Sequence, residues 1–274
     1  MSTTTTRPAV VRADIHPVTM PRVLKSEWIK LRSLRSSKVS VAIAFVLLIG
    51  LGAVVAWAES SQWPTMSAAD RASFDAANTS MSGYHFAQLA IGVVGVLAVS
   101  GEYATGMIRA SLTAVPRRLP VLWAKALVFS AIALVTMTVA AFLAFFVGQA
   151  VLSGRHLETT LSSPGVLRVV LGTGLYLMVV GLLGVALGAL LRNTAGAITT
   201  LVGGLFLLPL VTELLPSSWS GDVGKYLPGT AGDALLQVHQ QAGMLAPWTG
   251  FALMCGYTVV ALGAAAWVLK RRDA

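Results

Sequence analysis

Long apolar runs alternate with short polar interruptions along this chain, and the lengths of the runs predict its elements. A hydrocarbon core of ~30 Å takes ~20 helical residues to cross. Six runs are suited to crossing, at about residues 39–57, 84–100, 126–151, 169–191, 195–215 and 248–269. Ahead of the first, Leu24, Trp28 and Leu31 recur at helical spacing among Lys25, Lys30, Arg32, Arg35 and Lys38. That pattern predicts a basic amphipathic helix lying in the headgroup layer with Trp28 at the boundary. A plain positive flank that halts translocation fits the same charges, and both readings stand. The fold expected is all-α: six transmembrane helices preceded by an amphipathic interfacial helix. Within the fifth run, Pro209 removes a backbone donor and predicts a kink.

The polar interruptions carry their own signals. Residues 1–21 hold Thr3 to Thr6, Pro8 and Pro17 with few large apolar side chains, a composition that cannot offset the entropy of ordering, so a flexible tail is expected. The remainder, 22–274, reads as one six-helix membrane domain. Ser67 followed by Asp70 has capping-box spacing and predicts a short helix over about 67–77. A second helical stretch is expected over 233–241, inside the polar segment 216–247.

Charge then orients the bundle. Of the twenty Lys and Arg residues, only Arg71, Arg155, Arg168 and Lys225 fall on one side of the six-span layout, and sixteen fall on the other. Short basic loops stay cytoplasmic, so both termini are expected inside a plasma membrane crossed several times. Mean hydropathy of +0.75 and only 11% charged residues exclude a soluble domain, which carries roughly 25%. The formal charge of +9 does not signal a nucleic-acid partner, because the cations flank apolar runs instead of clustering on a polar face. The partner it signals is the lipid bilayer. Cys255 is the sole cysteine, so no intrachain disulfide forms.

One interruption is unlike the others. Residues 101–125 contain Glu102, Arg109, Arg117, Arg118 and Lys125, charges too costly to place in hydrocarbon. The stretch is expected as a cytoplasmic loop in water. Glu102, its single carboxylate, has two readings: a local salt bridge to Arg109 or Arg118, or a contact with a cytoplasmic partner.

Catalytic patterns are missing from the sequence. No Gly-x-x-x-x-Gly-Lys phosphate loop occurs, and Gly221-Asp222-Val223-Gly224-Lys225 has the wrong spacing. His16, His85, His156 and His239 lack metal-ligand spacing. The expectation is a chain with no catalytic residue, no metal and no bound cofactor, hence not an enzyme. Gly181, Gly184 and Gly188 on the fourth span let helix backbones approach closely, either within the bundle or at a dimer seam. Arg168 and Glu213 are expected near the outer surface, where they can snorkel. An ion-driven carrier would need a carboxylate buried in the membrane, and the spacing makes none evident.

Three stretches give the chain a family likeness: Ser26-Glu27-Trp28-Ile29-Lys30-Leu31-Arg32-Ser33-Leu34-Arg35-Ser36; Gly101-Glu102-Tyr103-Ala104-Thr105-Gly106-Met107-Ile108-Arg109 with Pro116-Arg117-Arg118; and Tyr226-Leu227-Pro228-Gly229. With the six-span layout, these resemble the type-2 ATP-binding-cassette (ABC-2) exporter permeases, especially actinobacterial members. The resemblance implies an exporter permease that dimerises, as homodimer or heterodimer, and binds two copies of a separate ABC ATPase, which would hold the ATP and Mg. It implies that Glu27, Trp28, Lys30, Arg32 and Arg35 belong to an interfacial connecting helix. It further implies that Glu102, Tyr103, Gly106, Arg109, Arg117 and Arg118 belong to the ATPase-coupling loop, and that 216–247 includes short re-entrant helices. The cargo implied is drug-, antibiotic- or lipid-like. The alternative from the residues themselves is a non-transporting sensor or immunity subunit that binds a ligand through its outer segments.

Overall fold

In a computed structural model, the described residues are 19–33, 35–104, 106, 118–214, 223–240 and 243–271. Helix α1 covers Met20–Ser33 and α2 covers Arg35–Gln62. A 3-10 turn, Trp63–Thr65, leads to two short helices, α3 (Ala68–Ser73) and α4 (Ala76–Met81). Then follow α5 (Tyr84–Ala104), α6 (Arg118–Leu152), α7 (Val166–Leu191) and α8 (Thr194–Val202). A π-helical turn, Gly203–Leu207, passes into α9 (Leu208–Glu213); α10 (Pro228–Asp233) and α11 (Pro247–Arg271) complete the chain. Six helical stretches are long and apolar enough to cross a membrane. The flexible tail expected over 1–21 falls, through residue 18, outside the described residues.

Helix α7 is the hub. It packs against α5, α6, α8 and α11, while α2 closes against α5 and α6. Its glycines explain why. A Cβ on Gly184 would meet the Gly92 carbonyl oxygen at 2.3 Å, and one on Gly188 would meet that of Val96 at 2.8 Å. Reciprocally, a Cβ on Gly95 would meet the Gly181 carbonyl oxygen at 2.0 Å. Gly181, Gly184 and Gly188 are all buried against α5, and for Gly181 also α6, within one chain. Absent side chains at these points let backbones come close enough for van der Waals packing, which is what holds membrane helices together.

Caps set several boundaries as the side-chain chemistry requires. The Ser67 hydroxyl accepts from Asp70 N at 3.1 Å and starts α3; Asp75 accepts from Ala77 N and Asn78 N and starts α4. So the predicted helix over 67–77 is two helices split at Phe74 and Asp75. Asn193 caps α8 by accepting from Gly196 N at 2.8 Å. At Pro209 the expected kink takes the form of the π turn ahead of it, a known way to absorb a missing i−4 bond. The Leu205 carbonyl, which Pro209 cannot engage, lies against Gly229 of α10.

The segment before the last span departs from expectation. Instead of a helix over 233–241, α10 ends at Asp233 and a 3-10 turn, Ala234–Leu236, follows. Gly229, Ala231, Gly232, Ala234, Leu235 and Leu236 are buried. Gly232 sits against Tyr176 of α7 and Met254 of α11. Those residues lie about 10–15 Å along their helices at 1.5 Å per residue, so α10 dips into the bundle. Arg168, half-buried near the start of α7, donates from its guanidinium to the carbonyls of Leu235 (2.9 Å), Gln237 (2.8 Å) and Val238 (3.1 Å), pinning the chain after α10. Glu213 lies in α9, with its side chain outside the described residues.

Candidate functional site

A cluster of charges closes the end of the bundle where α1, the last turn of α5 and the first turns of α6 meet. Lys125 Nζ stands 2.7 Å from Glu27 Oε2 and 2.8 Å from Glu102 Oε1. Lys30 Nζ stands 2.8 Å from Glu27 Oε1 and 3.4 Å from Glu102 Oε1. Side-chain exposure is 5% for Lys125, 1% for Glu27 and 9% for Glu102, against 26% for Lys30. Two ammonium groups and two carboxylates therefore balance, three of the four nearly fully buried, with Glu102 Oε2 left without a hydrogen-bond partner among the described residues. Buried ions are tolerated only when paired and hydrogen-bonded in this way.

Local sequence explains the arrangement. On α1, Val23 and Glu27 are four apart and share the buried face, and Val23 packs with Val121 and Ala124 of α6. That packing brings Glu27 onto Lys125, which lies one residue beyond Ala124. Lys125 is not in a water-filled loop, as the reading of 101–125 expected. It sits within α6, and Glu102 sits within α5, because each finds its counter-charge on another helix. Among the described residues the partners of Glu102 are Lys125 and Lys30, 23 and 72 residues away, and the expected partners Arg109 and Arg118 have side chains outside the described residues.

The neighbours of Glu102 are tied as well. The Thr194 hydroxyl donates to Ser100 Oγ at 2.9 Å, and the Arg192 guanidinium lies 5.3 Å from the centre of the Tyr103 ring. Arg192 adopts φ +52 in the turn between α7 and α8. Gly106 has φ +72, a left-handed backbone open to glycine, and its N–H donates to the Tyr103 carbonyl at 3.3 Å. Arg109 and Arg117 lie outside the described residues. Arg118 opens α6, and Arg35 opens α2, with side chains likewise outside the described residues. Trp28 is 46% exposed, and Arg32 is exposed.

Burial by itself would raise the Glu27 carboxyl, but Lys125, by charge and hydrogen bond, and then Lys30 hold it below the ordinary value of 4.5. Burial likewise works against the Lys30 ammonium, and Glu27 and then Glu102 hold it above 10.5. A depressed acid contributes stability that is complete above 4.5 and lost as pH falls through its lowered value; Lys30 contributes below 10.5 and loses its share as pH rises. The expected result is a thermal midpoint for detergent-purified protein that holds steady from neutral pH to about 5 and drops below 4.5. In Glu27→Gln the acid drop is expected to shrink. An equal drop in both would assign it to other carboxylates.

Two residues escaped the sequence reading. Lys125 was assigned to water; the signal that could have placed it is the apolar company of Val121, Leu122 and Ala124. The second is Asp233, a carboxylate on α10 inside the bundle. The Tyr84 hydroxyl faces it, the Tyr84 and Tyr176 rings meet edge-on at 5.8 Å, and Tyr176 donates to Gln88 Oε1. Asp233 Oδ1 is buried with no hydrogen-bond partner among the described residues. An acid set among Gly232, Ala234, Leu235 and Leu236 was the available sign. Three hydroxyls in the spans are satisfied locally, Thr173, Thr200 and Thr258 each donating to the carbonyl four residues back, while Gln149 donates to Ala76 O and Ser80 Oγ of α4.

The family model described as "ABC-2 family transporter protein" matches residues 23–209. That range includes α1 from Val23 onward and all four members of the charge cluster. Comparison with curated proteins gives no match.

Proposed function

From the premise that this chain belongs to the ABC-2 transporter family, we infer that it is a permease subunit that exports its cargo, driven by a separate ATPase. The family and the six spanning helices make it a multi-pass cell-membrane protein and a permease subunit of an ABC transporter, whose partner is an ABC ATPase. Export, two ATPase copies and a second permease copy are our reading, with the basic end of the bundle facing the cytoplasm. ATP and Mg would be bound by the partner, and the chain itself would carry no catalytic residue. The cargo class we favour is a drug-, antibiotic- or lipid-like amphiphile.

The observation that carries this reading is the wiring of α5's last turn. Ser100, Glu102 and Tyr103 contact α8, α6 with α1, and the α7–α8 turn respectively. Glu102 and Tyr103 themselves open the segment that resembles a coupling loop, which continues through Gly106 to Arg118. A push on that segment by closing ATPases would reach α1 and α6 through the buried ion pairs of Glu102, α8 through the Ser100–Thr194 hydrogen bond and the α7–α8 turn through Tyr103 and Arg192. The ATPase can drive the change only if it binds the two permease states unequally.

Gly106 supplies the test. Proline requires φ near −65° and has no N–H, so Gly106→Pro cannot keep φ +72 or the bond to Tyr103. The variant is expected to insert and fold, because among the described residues nothing lies within 4 Å of a Cβ added at this glycine. It should lose ATPase co-purification or uncouple ATP hydrolysis from transport in proteoliposomes. Wild-type coupling in Gly106→Pro would overturn the assignment of this segment.

A further inference from the structure

An apolar groove of about 500 Å³ runs between α1, α2, α5 and α6, beside the charge cluster but separate from it. Its volume falls within the roughly 300–1,000 Å³ of ligand clefts. Phe45 of α2, Ile91 of α5 and Phe129 and Ala133 of α6 form its wall, and Trp28 lies over it from α1. Along α6 it extends from Phe129 to Thr136, about 10 Å of helix. Thr136 leaves no polar demand inside, because its hydroxyl donates to the Ile132 carbonyl at 2.7 Å. The polarity of the lining is otherwise confined to Arg32 and Lys38, both exposed and without a carboxylate partner among the described residues.

We propose that this groove holds an acyl chain of an anionic phospholipid from the leaflet at the basic end, with its phosphate held by Arg32 and Lys38. The occupant follows from charge complementarity and shape. The wall is greasy along its length and accepts hydrocarbon, while two cations from different helices stand where a headgroup emerges. Arg offers a forked donor to phosphate oxygens and Lys a point charge. Anionic lipids gather beside juxtamembrane cations in this way. Because α1 and α2 both line the groove, a lodged chain would brace the joint between them, making the lipid a structural partner of α1. This goes beyond the transport reading and does not depend on it.

The test uses the full chain in nanodiscs containing a small share of phospholipid with a photoreactive acyl chain, as either a phosphatidylglycerol or a phosphatidylcholine. Labelled peptides are mapped by mass spectrometry. The anionic lipid is expected to label peptides around Phe45 and Phe129 at least roughly tenfold more than the zwitterionic one, two surface cations at about 1 kcal/mol each supplying up to roughly thirtyfold. Arg32→Glu with Lys38→Glu should bring groove labelling down to the zwitterionic level, while labelling at Val259 and Val260, exposed on α11, stays unchanged. Ala42→Trp, which fills the groove from its rim, should remove groove labelling by either lipid and leave those of α11. Equal groove labelling by both lipids, or indifference to the charge reversal, would overturn the proposal. So would cross-linking of Val46→Cys between two copies of the chain with no lipid label in the groove. Displacement of the label by a transported amphiphile at stoichiometric amounts would assign the groove to cargo instead.

Discussion

Lys125→Met is expected to lower the stability of the purified protein by about 3–5 kcal/mol, the cost of removing one partner from a buried ion pair. Glu27 and Glu102 would then face each other across a dry site with only Lys30, itself partly exposed, to compensate them. ATP-driven transport should fall with it, since α1, α5 and α6 lose their shared contact. A second variant separates the two effects. Glu27→Gln, Glu102→Gln and Lys125→Met together remove the three most buried charges and leave Lys30, which is 26% exposed, to water, and replacing buried ions by neutral side chains of similar volume is often close to neutral. The triple variant should recover most of the thermal midpoint lost by Lys125→Met but not the coupling of ATP hydrolysis to transport. Unchanged stability in the single variant would mean that water reaches the carboxylates. Full coupling in the triple variant would mean that the ion pairs only support the fold.

The second large effect is expected at the glycine seam. Gly95→Ala places a methyl 2.0 Å from the Gly181 carbonyl oxygen, and Gly184→Ala places one 2.3 Å from that of Gly92. Backbone cannot swing away as a side-chain end can, so α5 and α7 must separate. Overpacking costs about 1–3 kcal/mol and occasionally more, and here the hub helix gives way along its length. Combined, the two substitutions should leave little folded protein after detergent extraction. Gly263→Ala is the control, because nothing lies within 4 Å of its added Cβ. Its midpoint should stay within about 0.5 kcal/mol of the parent, as for other substitutions that touch nothing. A seam variant as stable as this control would show that α5 and α7 are less tightly apposed than the structure has them.

Much of the architecture was legible from run length. The first, fourth and sixth spans were foreseen near 39–57, 169–191 and 248–269 and stand as Arg35–Gln62, Val166–Leu191 and Pro247–Arg271. Apolar length suffices there because lipid asks little more of a spanning helix than satisfied backbone and a greasy surface. The third span was foreseen from 126 and begins at Arg118. The error has one cause: Lys125 looked like a residue that only water could accept. Its acceptors, Glu27 and Glu102, are 98 and 23 residues away, and linear spacing does not show that three helix ends converge.

The candidate site divides in the same way. Glu27, Lys30 and Glu102 were singled out with their segments, but as separate features of an interfacial helix and a loop. That they form one balanced cluster with Lys125 depends on which face α1 turns to α6. Similarly, the glycine spacing on α7 favoured packing over a dimer seam without deciding between them, and the fit of Gly184 against Gly92 is the tertiary fact that shows the packing. Asp233 was passed over because its surroundings come from α5 and α7, not from its own segment.

By itself, then, the sequence determined that the chain is helical, how many times it can cross a membrane and where its positive charge collects, because hydrophobic length and net charge are properties of single segments. Tertiary structure decided which charges are buried, which glycines face a partner helix and where an apolar groove opens beneath two cations. Those are properties of pairs of surfaces, and a pair exists only once the helices have packed.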